Sequence, residues 1–103
     1  MHLKEYIVKM LDSPYDMKAL TTVVIAKTLF DMGTPVYNAV TYRLYEKYHC
    51  YIPDCFENPE YLREALKELY GTSHKVIIYS IEQKLKEFTL DKKTESFLQI
   101  IVK

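Results

Sequence analysis

Two cysteines and a histidine lie close together in this chain and are the first candidates for chemistry. Cys50 and Cys55 are separated by four residues, and His49 directly precedes the first of them. A closed zinc site needs four ligands, often from Cys-x-x-Cys turns, whereas this segment has a wider spacing and no second pair. A disulfide would require a Cα separation that the sequence does not give. We therefore expect ordinary thiols, keep Cys50 and Cys55 as a candidate redox or disulfide pair, and predict no metal ligands.

The other ionisable residues do not form a recognisable catalytic pattern. His74 lies three residues before Ile77, on the predicted core side of a helix, so we interpret it as a packing or capping histidine. No glycine-rich loop is available to hold a phosphate, and the loop carboxylates are isolated from one another, at Asp12, Asp16, Asp54 and Glu57. The sequence predicts no enzymatic activity, no catalytic residue and no cofactor.

Ten tyrosines and no tryptophan are the most unusual feature of the composition. Five of the tyrosines fall in one short stretch, at positions 37, 42, 45, 48 and 51. Tyrosines often pack with their hydroxyls at the surface, but exposed tyrosines are also enriched in protein interfaces. We predict that Tyr42 and Tyr45 are exposed and form, with Arg43 and Tyr51, a surface for a protein partner or for a second copy of the chain.

Nucleic acid is the alternative partner. Fourteen basic and fourteen acidic side chains cancel, so no overall field attracts a polyanion. Two predicted helices joined at Gly33 match the outline of a helix-turn-helix, but the basic residues of the second come only near its end. A recognition helix presents basic or amide side chains at its N-terminal face. A small DNA-binding regulator is therefore the alternative prediction.

Six amphipathic segments, separated by proline and glycine, must position these residues. Apolar residues recur at helical spacing in each of them, and the second is apolar nearly all round, which predicts a place in the middle of a bundle. Between the third and fourth segments, residues 49–57 form the longest irregular stretch. The predicted helices cover His2–Leu11, Tyr15–Met32, Thr34–Tyr48, Asn58–Tyr70, a stretch from Thr72 or Ser73 to about Phe88, and a last stretch from about Asp91.

Length and composition predict one all-α domain covering residues 1–103, a compact bundle of five to six short amphipathic helices. About half of the 103 residues are hydrophobic, which is enough for a core of its own. No apolar run approaches the roughly 20 residues that span a bilayer, and the first residues do not resemble a secretory signal. Two cysteines are too few for a secreted disulfide scaffold. We expect a soluble, cytoplasmic protein without a membrane partner.

A family resemblance adds to this interpretation. A leucine-striped helix, an aromatic residue with Gly71, and an isoleucine-striped helix follow one another in residues 59–71 and 76–85. In this pattern the chain resembles small archaeal helical domains described as Nitrosopumilus-type output domains, and residues 34–55 are compatible with it. The resemblance implies a regulatory module of archaeal signalling, and it names no site residue.

Overall fold

The chain folds into α-helices joined by short turns. The computed structural model describes residues 17–88 and 90–103, and these ranges contain no β-strand. The α-helices are α1 (Met17–Met32), α2 (Thr34–Tyr48), α3 (Pro59–Tyr70), α4 (His74–Leu85) and α5 (Lys92–Ile101). Two 3₁₀ helices connect α2 to α3 and α3 to α4, at Ile52–Phe56 and Gly71–Ser73.

The predicted all-α class is confirmed, but the predicted bundle differs in detail. The stretch of residues 49–57, expected to be irregular, contains the first 3₁₀ helix. The expected helix at His2–Leu11, together with the carboxylates Asp12 and Asp16, lies outside the described residues. The remaining helices begin and end within about three residues of the predicted positions, because prolines and glycines mark their ends.

Helix α1 lies at the centre of the bundle, as predicted from its apolar composition. It packs against α2, α4, α5 and the first 3₁₀ helix. Its inner side is completely buried, at Leu20, Thr21, Val24, Ile25, Thr28 and Leu29. Its outer side is not covered throughout, because Phe30, which belongs to the predicted apolar surface, is 49% exposed. Neither α1 nor any other helix in residues 17–88 and 90–103 is both long enough and apolar enough to cross a membrane.

Helix α3 is the second central element and contacts α2, α4 and α5. Its predicted leucine stripe is buried at Leu62, Ala65 and Leu66, while Leu69 packs at the margin of the core. Helices α2, α4 and α5 close over it with further fully buried side chains, at Leu44, Ile81, Leu85, Phe97 and Ile101. Burial of these side chains from several directions is the main stabilising contribution to the fold.

The helices begin with different kinds of cap. Gly33 joins α1 to α2 with a φ of 129°, a conformation that favours glycine, and its carbonyl accepts from Val36 N at 3.0 Å. Asn58 and Ser73, at the N-cap positions of α3 and α4, make no side-chain cap hydrogen bond. By contrast, the Asp91 carboxylate accepts from Thr94 N at 2.8 Å at the start of α5. That bond, together with one from the Thr94 hydroxyl, lowers the pKa of Asp91.

Candidate interaction surface

Tyr45, near the end of α2, and Tyr51, just beyond it, lie side by side at the surface. Their ring centroids are 5.8 Å apart and their ring planes are inclined by 37°. Tyr45 is 51% exposed and Tyr51 is 65% exposed. The ring of His49 meets Tyr45 edge-on at 5.9 Å. Both tyrosine rings therefore expose large apolar surfaces with polar hydroxyls.

A groove of about 290 Å³ lies beside Tyr51, between α1, α2 and the first 3₁₀ helix. Its lining consists of Thr22, Ala26, Tyr37, Thr41, Tyr51, Ile52 and Pro53. On the α2 side, Tyr37 stacks on Phe30 with ring centroids 4.1 Å apart and an interplanar angle of 20°. The ring of Phe30 thus contacts Tyr37, Tyr37 and Tyr51 both line the groove, and Tyr51 contacts Tyr45. We call these four residues the aromatic strip.

Hydrogen bonds in the connection after α2 hold the backbone of Tyr51 in place. His49 ends α2 in the left-handed conformation, with a φ of 52°, and its N–H donates to the Tyr45 carbonyl at 2.9 Å. Tyr51 N donates to Asp54 Oδ2 at 2.8 Å, and Asp54 N donates back to the Tyr51 carbonyl at 3.0 Å. Asn58 Nδ2 donates to the Asp54 carbonyl at 3.1 Å. Asn58 thus braces the 3₁₀ helix rather than capping α3.

The other side of α2 carries charges that are paired with α3. Arg43 Nη1 lies 3.3 Å from Glu68 Oε1, and Lys47 donates to the other oxygen of the same carboxylate. The hydrogen bond from Lys47 lowers the pKa of Glu68, and the same bond raises the pKa of Lys47. We call Arg43, Lys47 and Glu68 the paired-charge edge. Arg43 was predicted to form a surface with the tyrosines, but its guanidinium group is paired with Glu68 of α3.

Tyr42 is the remaining residue of the predicted surface. It is 62% exposed, and its hydroxyl donates to Glu46 Oε2 at 3.3 Å, one turn further along α2. Glu46 also lies 4.0 Å from Arg43 Nε. The structure therefore brings Tyr45 and Tyr51 together, whereas Tyr42 and Arg43 each interact with a carboxylate.

Comparisons of the chain with protein-family models, with curated proteins and with solved structures found no match. The resemblance to the archaeal output domains stays a prediction, and any function has to be argued from the side chains themselves.

Both candidate redox cysteines are free thiols buried within the domain. Cys50 Sγ lies 3.9 Å from the Leu44 carbonyl and Cys55 Sγ lies 4.0 Å from the Tyr51 carbonyl. Burial raises the pKa of both thiols, most strongly for Cys55, and the nearby carboxylate of Asp54 adds to this effect. Because the thiolate is the reactive form, both are poor nucleophiles. The described residues contain no group of three or more His, Cys, Asp or Glu side chains arranged to hold a metal ion.

His74 is buried and participates in local structure. Its Nδ1 is 2.7 Å from the Gly71 carbonyl, so this nitrogen carries the proton and donates it. His74 also lines a groove of about 670 Å³ with Lys75 and Tyr79, among other residues. No cysteine or serine from the described part of the chain lines this groove.

Sequence reasoning missed Phe30 as an exposed residue and did not include the half-buried Tyr37 in the candidate surface. Phe30 was expected in the core because its neighbours along α1 are apolar. A signal was nevertheless present, since Lys27 and Asp31 flank Phe30 on the same side of the helix. These two residues form an ion pair at 2.6 Å and mark that side of α1 as solvent-facing.

Proposed function

We propose that this chain is a regulatory or adaptor domain that docks a protein partner through the aromatic strip. The observation that carries the proposal is the contact between neighbouring rings: exposed Phe30 with half-buried Tyr37, and exposed Tyr45 with exposed Tyr51. Tyr37 and Tyr51 are linked in turn, because both line the same groove. Single exposed apolar residues are normal on protein surfaces, whereas contiguous ones mark interaction sites.

Tyrosine rings suit such a surface for energetic reasons. A tyrosine buries a large area with only two side-chain torsions to fix, and its hydroxyl can bond to the partner or remain in water. Interface residues that contribute most to binding are enriched in tyrosine for these reasons. The strip therefore has the composition of the centre of a binding site.

The alternative, a small DNA-binding regulator, has less support from the same helix. Phosphate contacts require accessible cations, and both basic side chains near the end of α2 are held by Glu68. At the start of α2, where a recognition helix would meet the bases, the exposed residues are Thr34, Pro35 and Asn38, and none of them is basic. Docking to protein requires no rearrangement of these ion pairs.

On the basis of the resemblance noted in the sequence, we include in the proposal a role in archaeal signalling and a cytoplasmic location. In this proposal, binding and release of a separate partner protein transmit an upstream signal. A second copy of the chain is the other partner to consider, because cyclic dimers are the commonest assemblies.

The proposal is tested by comparing three immobilised proteins in lysate from the cells that contain this chain. The proteins are the wild type, a Tyr45→Ala/Tyr51→Ala double variant, and a Tyr79→Ala control that removes an equally exposed tyrosine from α4. We expect one or more proteins to be retained by the wild type and the control and to be lost from the double variant. Equal retention by all three, or retention by none together with a monomeric wild type in sedimentation, would contradict the proposal.

A further inference from the structure

We infer that the groove beside Tyr51 binds a proline-rich, extended segment of the partner protein. The inference rests on the proposed function and adds the chemistry of the occupant. It starts from the lining of the groove, which contains two tyrosines, one proline, small or aliphatic side chains, and no charged residue. A site of this composition is complementary to an uncharged, apolar segment and gives an acidic or basic peptide nothing to pair with.

The hydroxyl groups within the groove strengthen this argument. Thr22 Oγ1 donates to the Lys18 carbonyl at 2.8 Å, and Thr41 Oγ1 donates to the Tyr37 carbonyl at 3.0 Å. Both threonines therefore donate their hydroxyl protons to carbonyls of their own helices and have none to offer an occupant. The tyrosine hydroxyls remain as donors, and they fit the exposed carbonyls of a chain that has few N–H groups of its own.

Proline-rich segments satisfy these requirements better than other peptides. They adopt the polyproline II helix without internal hydrogen bonds, so their carbonyls are free to accept, and their rings pack between aromatic side chains. The groove is flanked by Tyr37 and Tyr51 and includes the rigid ring of Pro53. Its volume of about 290 Å³ is at the lower end of the range of about 300–1,000 Å³ for sites that enclose a whole small ligand. Part of an extended chain is the better fit.

A second copy of the chain fits less well. A stable interface buries about 800 Å² on each partner, whereas three aromatic side chains that are about half exposed, and Tyr37, which is partly buried, offer roughly half of that area or less. The ion pair of Lys27 and Asp31 borders the strip on α1 and would have to be covered as well. Sedimentation of the wild type, included in the test of the proposed function, would detect a second copy.

The test uses a fluorescein-labelled decaproline peptide and a Gly-Ser peptide of the same length. Fluorescence anisotropy measures binding to the wild type, Tyr51→Ala, Thr22→Lys, which places a charge in the groove, and the control Tyr79→Ala. We expect the wild type to bind decaproline saturably and not to bind the Gly-Ser peptide. The affinity for decaproline should be about tenfold or more weaker in Tyr51→Ala and Thr22→Lys, and unchanged in Tyr79→Ala. Amide chemical shifts of labelled protein should change around Thr22, Thr41 and Tyr51 upon addition of decaproline.

The outcomes separate this inference from the proposed function. Absence of saturable decaproline binding, equal binding of the Gly-Ser peptide, or unchanged binding by both groove variants would overturn the inference. If the Tyr45→Ala/Tyr51→Ala variant still loses its cellular partner in that case, the docking function stands and the partner has another chemistry. Circular dichroism of each variant establishes that it is folded before its binding is compared.

Discussion

The two sides of helix α2, one beside α3 and one beside the Tyr51 connection, carry residues of similar kinds and use them differently. Next to α3, Tyr48 stacks on Tyr61 at 4.2 Å with nearly parallel rings, close to the paired-charge edge. Tyr45 lies one turn earlier and contacts only the rings of His49 and Tyr51 among its aromatic contacts in the described residues, and half of its surface is exposed. The difference arises because a ring of α3 covers Tyr48, while Tyr45 lies beside the exposed Tyr51 connection.

This comparison indicates how a function can be inferred from residues that are common in folded proteins. A tyrosine that stacks against a neighbouring helix contributes to the stability of the fold, which is a sufficient reason for its presence. The same holds for a charged side chain that forms an ion pair with a neighbouring helix. Tyr45 and Tyr51 are left without a comparable structural role. Four predictions test whether the two sides differ as described, in order of decreasing effect.

Replacement of Leu44 should have the largest effect, because it lies fully buried beneath both sides of α2. We expect Leu44→Ala to lower the free energy of unfolding by about 2–5 kcal/mol, measured by urea denaturation. Leu44→Met, which nearly conserves volume, should cost less than about 1.5 kcal/mol. Equal effects of the two substitutions would mean that α2 is not packed on the core as described.

Tyr48→Ala should have an intermediate effect. It removes the stack with Tyr61 and the contact with the Lys47 ammonium, which lies 5.6 Å from the Tyr48 ring centroid. We expect Tyr48→Ala to lower the free energy of unfolding by about 1–2 kcal/mol. Tyr48→Phe keeps the stacked ring and should therefore retain most of the wild-type stability. A negligible loss in the alanine variant would place Tyr48 in the same class as the tyrosines of the strip.

Tyr45→Ala and Tyr51→Ala should each change the free energy of unfolding by no more than about 0.5 kcal/mol. The physical reason is that both rings are largely exposed and cover little of the core. The same denaturation series that measures Tyr48→Ala measures these variants. A loss as large as that of Tyr48→Ala would show that the strip is part of the packing and would weaken its assignment to a partner.

Glu68→Gln should have the smallest effect on stability, because the ion pairs that it breaks are exposed to solvent. The lowered pKa of Glu68 means that its stabilising contribution is present above the unfolded value of about 4.3 and is lost as the pH falls through the folded value. The melting temperatures of the variant and the wild type should therefore differ slightly at pH 7 and converge in acid or in high salt. Glu87→Gln, at an exposed turn, is the matched control.

The same Glu68→Gln variant tests the nucleic-acid alternative. By releasing Arg43 and Lys47, it should increase retention on nonspecific DNA at low salt relative to a wild type that is hardly retained. Strong, salt-dependent retention of the wild type would instead support the alternative function.

Much of the fold could be predicted because the signals are local. Pro35 and Pro59 occupy the first turns of their helices, and Gly33 lies where α1 ends, as expected. The apolar stripes identify the buried side of each helix, and Leu62 and Ile81 are fully buried accordingly. These features depend on backbone geometry and helical spacing, which neighbouring residues determine.

The candidate site was harder to predict because it depends on distant parts of the chain. Arg43 was grouped with Tyr45 because they are two residues apart, but such residues point in different directions on a helix. The ion pair of Arg43 depends on the position of Glu68 on α3, which is distant in sequence. Phe30 and Tyr37 meet because of the turn at Gly33, and Asn58 bonds to Asp54 because the 3₁₀ helix brings them together. Spacing along one helix does not contain this information.

The hydrogen-bonded connection between Tyr51 and Asp54 makes position 51 suitable for altering the proposed docking surface. The bonds between these two residues involve the main chain of Tyr51 and the carboxylate and N–H of Asp54. Position 51 can therefore accept other side chains while the loop keeps its conformation. A small library of substitutions at this single position should change the selectivity of the proposed docking on an unchanged scaffold.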